Sequence, residues 1–347
     1  MNHKQITAPK ELRTAIVRGI RSALLELGSA TKAELCHYLG ISFPTASKFL
    51  AQLQKRGELI AVGYDDSSGG RRAKRYAYNA DYMLGLAIFM EKTETNYVIF
   101  NCLGEIKDEG TTAGALESDA EHLTQQIAGM IAKHPKISSI AIGVPGAVNN
   151  GRIIYIPGYE HFRDLNLKLH LESRFAIPVV VENDMNAAVL GYSRAGAAGN
   201  SSLVYICFGQ NGPGAGLLIN GDVVRGKSFF TGEVSFLPQY EHLNFGQALS
   251  RHGRDKASGL LTDAQVDAIS RLVAAFTAII NPHTIIFSRD EVEVSSLERI
   301  TNRSADYIPG EHLPKLSLGN LKKDYLDGLQ YLGLELMISG AGESPLL

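Results

Sequence analysis

Between residues 84 and 287, short apolar runs alternate with stretches of helical period, and this restricts the fold more than any other feature. The runs at 84–90, 137–144, 178–181, 203–208 and 284–287 read as buried strands. Residues 97–102 pair with the first of them, with a turn at Leu103-Gly104-Glu105, and residues 216–219 follow a Gly-rich bend. The segments 121–133, 165–174 and 263–280 are amphipathic helices, and a further helix passes through Asn186, Ala187, Ala188 and Leu190. Strands alternating with helices imply an α/β fold, a mixed and largely parallel sheet with helices packed on it. Functional polar groups in such folds gather beyond strand ends, which is where Asn183 and Asp184 fall.

The first eighty residues follow another pattern. Leu12, Ile16, Ile20, Ala23, Leu24 and Leu27 have helical spacing, and Gly28 stops that helix. A Thr31 cap, with Glu34 placed for a capping box, opens a second helix through Leu35 and Tyr38. Gly40 breaks the chain, and Ser42-Phe43-Pro44 opens a third helix with Ala46, Phe49, Leu50 and Leu53 inward. Two helices across a tight glycine turn make a helix-turn-helix, whose second helix presents its amino end to the major groove. Ser42, Phe43, Thr45, Ser47 and Lys48 lie there, and hydroxyls with one lysine suit phosphate and base-edge contacts. A strand at 58–63, a polar turn at 64–70 and a basic return through Arg71, Arg72, Lys74 and Arg75 read as a winged hairpin. Those cations would neutralise phosphates or reach a minor groove.

Charge supports the division. Residues 1–80 hold 13 Lys and Arg against 6 Asp and Glu, +7, while the remainder holds 21 against 30, −9. A basic arm on an acidic body points the arm at a polyanion, double-stranded DNA. No apolar run approaches the roughly 18 residues of a membrane helix, and residues 1–13 hold no secretory core. Cys36, Cys102 and Cys207 are far apart and form no CxxC pair, so reduced thiols in a cytoplasmic protein are expected.

The ordered motifs carry a resemblance. They are Gly70-Arg71-Arg72 in the wing, Gly143-Val144-Pro145-Gly146, the run 177–188 containing Glu182-Asn183-Asp184-Met185-Asn186-Ala187-Ala188, the Gly-rich block 203–221, and Gly232-Glu233. Together they resemble the ROK family (repressors, open reading frames, kinases), and more narrowly its NagC/XylR-type repressors. The resemblance covers nearly the whole chain. It implies a winged helix-turn-helix at 1–80 and a two-lobed actin/sugar-kinase-like, ribonuclease H-like body. The lobes would span 81–195 and 196–347, with a C-terminal helix able to return to the first. In ROK kinases the Asp matching Asp184 is the general base, and the residues matching Asn183 and Glu233 contact sugar. These three are the expected effector-binding residues.

The catalytic equipment departs from that pattern. The first phosphate turn of such kinases is Asp-x-Gly-(Gly)-Thr, and bulky Phe89 and Met90 stand where its glycines belong. The second turn, 209–216, lacks its Thr and carries Pro213, which has no N–H. The adenosine loop reads Ser288-Arg289-Asp290 instead of Gly-Gly. The family's zinc motif is missing as well: Phe236 stands in place of its His, residues 237–253 hold no Cys, and His242 and His252 alone make a poor site. Pro157-Gly158 replaces the Pro-Asn that relatives turn toward sugar. The expectation is a non-enzymatic regulator, a repressor with no metal or cofactor, acting as a homodimer or homotetramer. Two other functions stay open: a sugar kinase with a DNA-binding arm, and a regulator whose body only dimerises.

Overall fold

Local capping chemistry sets the boundaries of the first unit. The computed structural model describes residues 9–65, 72–196, 201–209, 212–251 and 261–339. Helix α1 (Pro9–Leu27) and the short β1 (Ala30–Thr31) lead into α2 (Lys32–Leu39). Thr31 caps α2 by accepting the Glu34 amide at 3.2 Å, and the Glu34 carboxylate takes the Thr31 amide at 2.7 Å. Gly40, at φ 62°, ends α2 in the left-handed conformation that costs glycine little. Ser42 caps α3 (Phe43–Lys55), with Pro44 in its first turn.

Strands β2 (Leu59–Tyr64) and β3 (Lys74–Tyr78) pair antiparallel, β1 joins the far side of β3, and residues 66–71 lie outside the described set. Leu24, Leu35, Leu50, Leu53 and Leu59 fill the core of this unit. Leu12 and Leu27, which share the helical spacing of the buried Ile20 and Leu24, are 51 % and 46 % exposed. They sit near the two ends of the 19-residue α1, which outruns the 8-residue α2 packed on it.

Five residues, 79–83, separate β3 from the body, and they are hydrogen-bonded on both sides. The Asn79 amide donates to Glu58 and the Cys102 amide to Ala80. The body then repeats one topology twice. Its first lobe has β4 (Leu84–Met90), β5 (Glu94–Asn101), β6 (Ile106–Ala113), helix α4 (Ala120–Lys133), β7 (Ile137–Val144), the hairpin β8 (Ala147–Asn149) and β9 (Arg152–Tyr155), α5 (Leu167–Phe175) and β10 (Val179–Asn183). The five-stranded order is β10-β7-β4-β5-β6. Helix α6 (Asp184–Ala195) leads to the second lobe: β11 (Leu203–Cys207), β12 (Gly214–Ile219), β13 (Asp222–Val223), the hairpin β14 (Pro238–Tyr240) and β15 (Leu243–Asn244), α7 (Phe245–Ser250), α8 (Asp263–Ile279), β16 (Thr284–Ser288), α9 (Val294–Ser304) and β17 (Lys315–Gly319). Its order, β13-β12-β11-β16-β17, is the same arrangement, with an antiparallel meander joined to parallel strands.

The last helix, α10 (Leu321–Ser339), leaves the second lobe and packs on α6 and on β4, β7 and β10 of the first. One apolar cluster therefore runs without a break from Leu24 and Leu50 of the first unit, through Phe100 and Ala187, to Leu329 and Met337 of α10. Among the described residues no helix is long and apolar enough to cross a membrane.

Candidate DNA-binding face and inter-lobe cleft

Helix α3 buries Ala46, Phe49, Leu50 and Leu53 and turns its amino end outward. Ser42, Phe43 and Lys48 are exposed, and Thr45 and Ser47 are half-buried beside them. The Ser42 hydroxyl caps the helix and lies 2.8 Å from the Thr45 hydroxyl, while Ser47 donates to the Phe43 carbonyl at 2.8 Å. The Lys32 ammonium lies 4.7 Å above the exposed Phe43 ring and adds a cation to this face.

The wing divides its cations. Arg71 lies outside the described residues. Arg72 is exposed. Lys74 donates to Gln54 at 3.2 Å and sits over the Tyr76 ring. Arg75, expected among the phosphate contacts, is engaged within the protein. Its guanidinium holds Asp65 at 2.6 Å, Glu34 at 3.2 Å and the Ser29 carbonyl at 2.9 Å. The acids at the wing entry and at the start of α2 flank it, so it braces the hairpin against the helices.

Asn183 and Asp184 stand at the end of β10, where α6 begins. Asn183 caps α6 by accepting the Asn186 amide at 3.0 Å, and its amide group donates to Gly146 and to Asp184 Oδ1. Asn183 and Glu233 line one cavity together with Asn186, Arg225, Phe229 and Thr231. Asp184 lies close enough for the Glu233 charge to act on it. Sequence reasoning missed Arg225, whose guanidinium pairs with the buried Glu182 across the lobes. Nothing in the sequence pattern links two residues 43 apart.

The cavity measures about 10 Å³, room for roughly one water and far below the roughly 300–1,000 Å³ of small-molecule sites. As it stands this space is smaller than a sugar, and Arg225, Phe229 and Thr231 of one segment line it opposite Asn183. Phe229 in that segment holds φ 59°, a costly conformation for a bulky residue.

Burial pushes the Asp184 carboxyl up to about 7, with Glu233 adding to the rise, against hydrogen bonds from Met185 and Asn183 that favour its charged form. Burial raises Glu233 as well. Between about pH 4 and pH 7 the folded chain thus holds a proton that the unfolded chain has released. The contribution of Asp184 to stability is best below pH 4 and falls as pH rises through 7. Asp184→Asn is therefore expected to gain on the wild type between pH 5 and pH 8, by on the order of 1–4 kcal/mol in urea denaturation. Parallel profiles would refute a buried, largely protonated carboxyl.

The strand ends that the resemblance matches to phosphate turns carry bulky and acidic side chains. Strand β4 continues straight through Phe89 and Met90, both 2 % exposed. Phe89 packs on Tyr325 of α10 at 5.4 Å between ring centres, and a Cβ at Gly143 would meet the Tyr325 hydroxyl at 2.0 Å. Beyond β11 the Phe208 amide is taken by the Glu291 carboxylate at 2.7 Å, beside the turn that the resemblance matches to the second phosphate turn. Residues 210–211 and His252 lie outside the described set. Among the described residues no three His, Cys, Asp or Glu side chains converge on one point.

Residues 86–243 match the profile of the ROK family. The matched stretch lies within the two-lobed body, from β4 to β15, and covers less than half of the chain. The body and the N-terminal unit together superpose on a ROK family transcriptional regulator, a homolog of the E. coli MLC protein. The TM-score is 0.71 at 16 % identity, over 94 % of this chain and 99 % of that one. At this identity the likeness is one of fold.

A putative xylose repressor of Caldicellulosiruptor sp. (strain Rt8B.4) is 31 % identical over 63 % of this chain and 57 % of its own length. A β-glucoside kinase of Listeria monocytogenes is 32 % identical over 35 % of this chain and 42 % of its own. Against the xylose repressors it matches first, this chain spans less than three-fifths of their length.

Proposed function

We propose that the chain is a sequence-specific transcriptional repressor whose ROK body senses a sugar. The observation that carries this is the outward amino end of α3, with Ser42, Phe43 and Lys48 exposed beside the basic wing. Ser42, Phe43, Thr45, Ser47 and Lys48 read the major groove, while Arg71, Arg72 and Lys74 meet phosphate. Arg75 holds the wing in place.

The Phe89–Tyr325 pair and the Glu291 carboxylate support a body without phosphoryl transfer, because they stand at the strand ends that the resemblance matches to phosphate turns. Asn183, Asp184 and Glu233 hold the effector once the Arg225 segment opens. D-xylose is the first candidate, since relatives are named xylose repressors. Exposed Phe230, Phe236 and Ile279 around one apolar groove support pairing of two copies through the second lobe. The chain then acts as a cytoplasmic homo-oligomer without metal or cofactor.

Selection from random duplex DNA at low salt, with and without D-xylose, tests the reading. An enriched, roughly two-fold symmetric site is expected. Failure to enrich any sequence would overturn it. Turnover of MgATP with pentoses or hexoses at about 1–100 s⁻¹ would favour the kinase instead.

A further inference from the structure

Helices α6 and α10 touch backbone to backbone. A Cβ on Gly191 of α6 would lie 1.9 Å from the Asp324 carbonyl, and one on Gly328 of α10 would lie 1.9 Å from the Ala187 carbonyl. No side chain fits between them, so neither helix can shift at this crossing without taking the other along. The amino end of α6 carries Asn183 and Asp184 at the cleft.

Helix α10 also touches both lobes and the first unit. Near its start Asp324 accepts the Tyr205 hydroxyl of the second lobe at 2.9 Å, and Tyr325 packs on Phe89 of the first. Its far end meets the DNA-binding unit. The Ile338 carbonyl accepts Arg21 of α1 at 3.4 Å, and Glu335 pairs with Arg18 at 3.6 Å. Arg21 is 1 % exposed and also holds Glu58, next to β2, while Glu58 accepts Tyr78 of β3. One buried guanidinium therefore ties the end of α10 to α1 and, through Glu58, to both wing strands. Gly328 and Ile338 are ten residues apart, about 15 Å along a helix.

We propose that α6 and α10 move as one rigid element, and that α10 carries the state of the inter-lobe cleft to the wing through Arg21. This rests on the repressor reading for its biological meaning, but the mechanical link stands on the contacts alone. Opening of the cleft displaces α6 and α10 takes up the shift. Arg21 then moves α1 and the wing relative to α3, changing the spacing a DNA groove would meet.

The test is hydrogen–deuterium exchange on the full chain carrying Gly328→Ala, which wedges the crossing. Gly129→Ala is the control, since a Cβ there meets nothing within 4 Å. Gly328→Ala is expected to speed exchange about fivefold or more in peptides covering residues 16–25 as well as in α6 and α10, with Gly129→Ala leaving all of these unchanged. Faster exchange in α6 and α10 with residues 16–25 at the wild-type rate would overturn the link. Should Gly328→Ala not fold, Arg21→Lys asks the question from the other end. It keeps a cation for Glu58 but shortens the reach to Ile338, and it should speed exchange in residues 330–339 and in α6. No change there would overturn the link equally. Operator and D-xylose binding by the wild type are measured alongside. Their absence defeats the repressor reading and leaves the exchange result to decide the link.

Discussion

Glu58→Ala is expected to cost about 3–5 kcal/mol of folding stability, although Glu58 belongs to no proposed binding site. Its carboxylate is fully buried, holds Arg21 Nε at 2.5 Å and accepts the Tyr78 hydroxyl at 3.1 Å. A surface pair would be worth a fraction of that. Here the truncation takes from a guanidinium buried in the shared core the carboxylate that holds its Nε, and much of the desolvation cost is no longer offset.

The pair as a whole is another matter. Replacing both partners, Arg21→Met with Glu58→Leu, should recover much of the loss, because a buried ion pair and a packed apolar pair of similar volume are often close in stability. The double variant also gives up the Ile338 contact, so operator binding is expected to separate from stability in it. Circular dichroism in urea reads the stabilities. A Glu58→Ala chain within about 0.5 kcal/mol of the wild type, the range of an ordinary surface change, would show that the pair is solvated or replaceable.

What could be read from the sequence follows from how local each signal is. Thr31 with Glu34, Gly40, and Ser42 with Pro44 act within one helical turn, and each sits in the structure where its chemistry requires. The strand at 137–144 is a continuous apolar run, and the structure keeps its bounds. The expected strand at 178–181 runs on to Asn183, since Glu182 and Asn183 stay in register with Gly143 and Val144.

Strand β6 was not legible. It is the edge strand, its sequence IKDEGTTA has little to bury, and its pairing with β5 alone defines it. Helix α10 is expected from the resemblance alone, because its own sequence signal is weak. Gly328 and Gly333 weaken a helix by about 1 kcal/mol each in isolation. The close packing that Gly328 permits appears only once α6 lies against it. Arg21 and Arg225 escape sequence reading for a related reason. Each is a charged residue whose partner is distant in the chain, Glu58 for one and Glu182 for the other. Asn183 could be placed from its motif, but the closed cavity around it could not.

The wing and the recognition helix are expected to fail in different ways when altered. Arg72 is exposed, and Lys74 meets a neutral amide and the Tyr76 ring but, among the described residues, no carboxylate, so both cations remain available to a phosphate. Arg72→Ala and Lys74→Ala should each weaken binding to every duplex alike and flatten the plot of log K against log salt by about one unit. Lys48→Ala, on the exposed face of α3, should instead change the preference among sites by on the order of 1–3 kcal/mol, as should loss of the Thr45 or Ser47 hydroxyl where it meets a base edge. Arg75→Ala belongs to neither class. Its charge is already met by Asp65 and Glu34, so its loss frees two carboxylates beside the DNA and releases the wing from α2. Binding should fall on all sequences by more than one phosphate contact explains, and Asp65→Asn in the same chain should restore part of it. Anisotropy titrations of the selected operator and a scrambled duplex, from 50 to 200 mM salt, separate these patterns. If Arg75→Ala matched Arg72→Ala in both affinity and slope, with no rescue by Asp65→Asn, Arg75 would be a direct phosphate contact and the brace an incidental one.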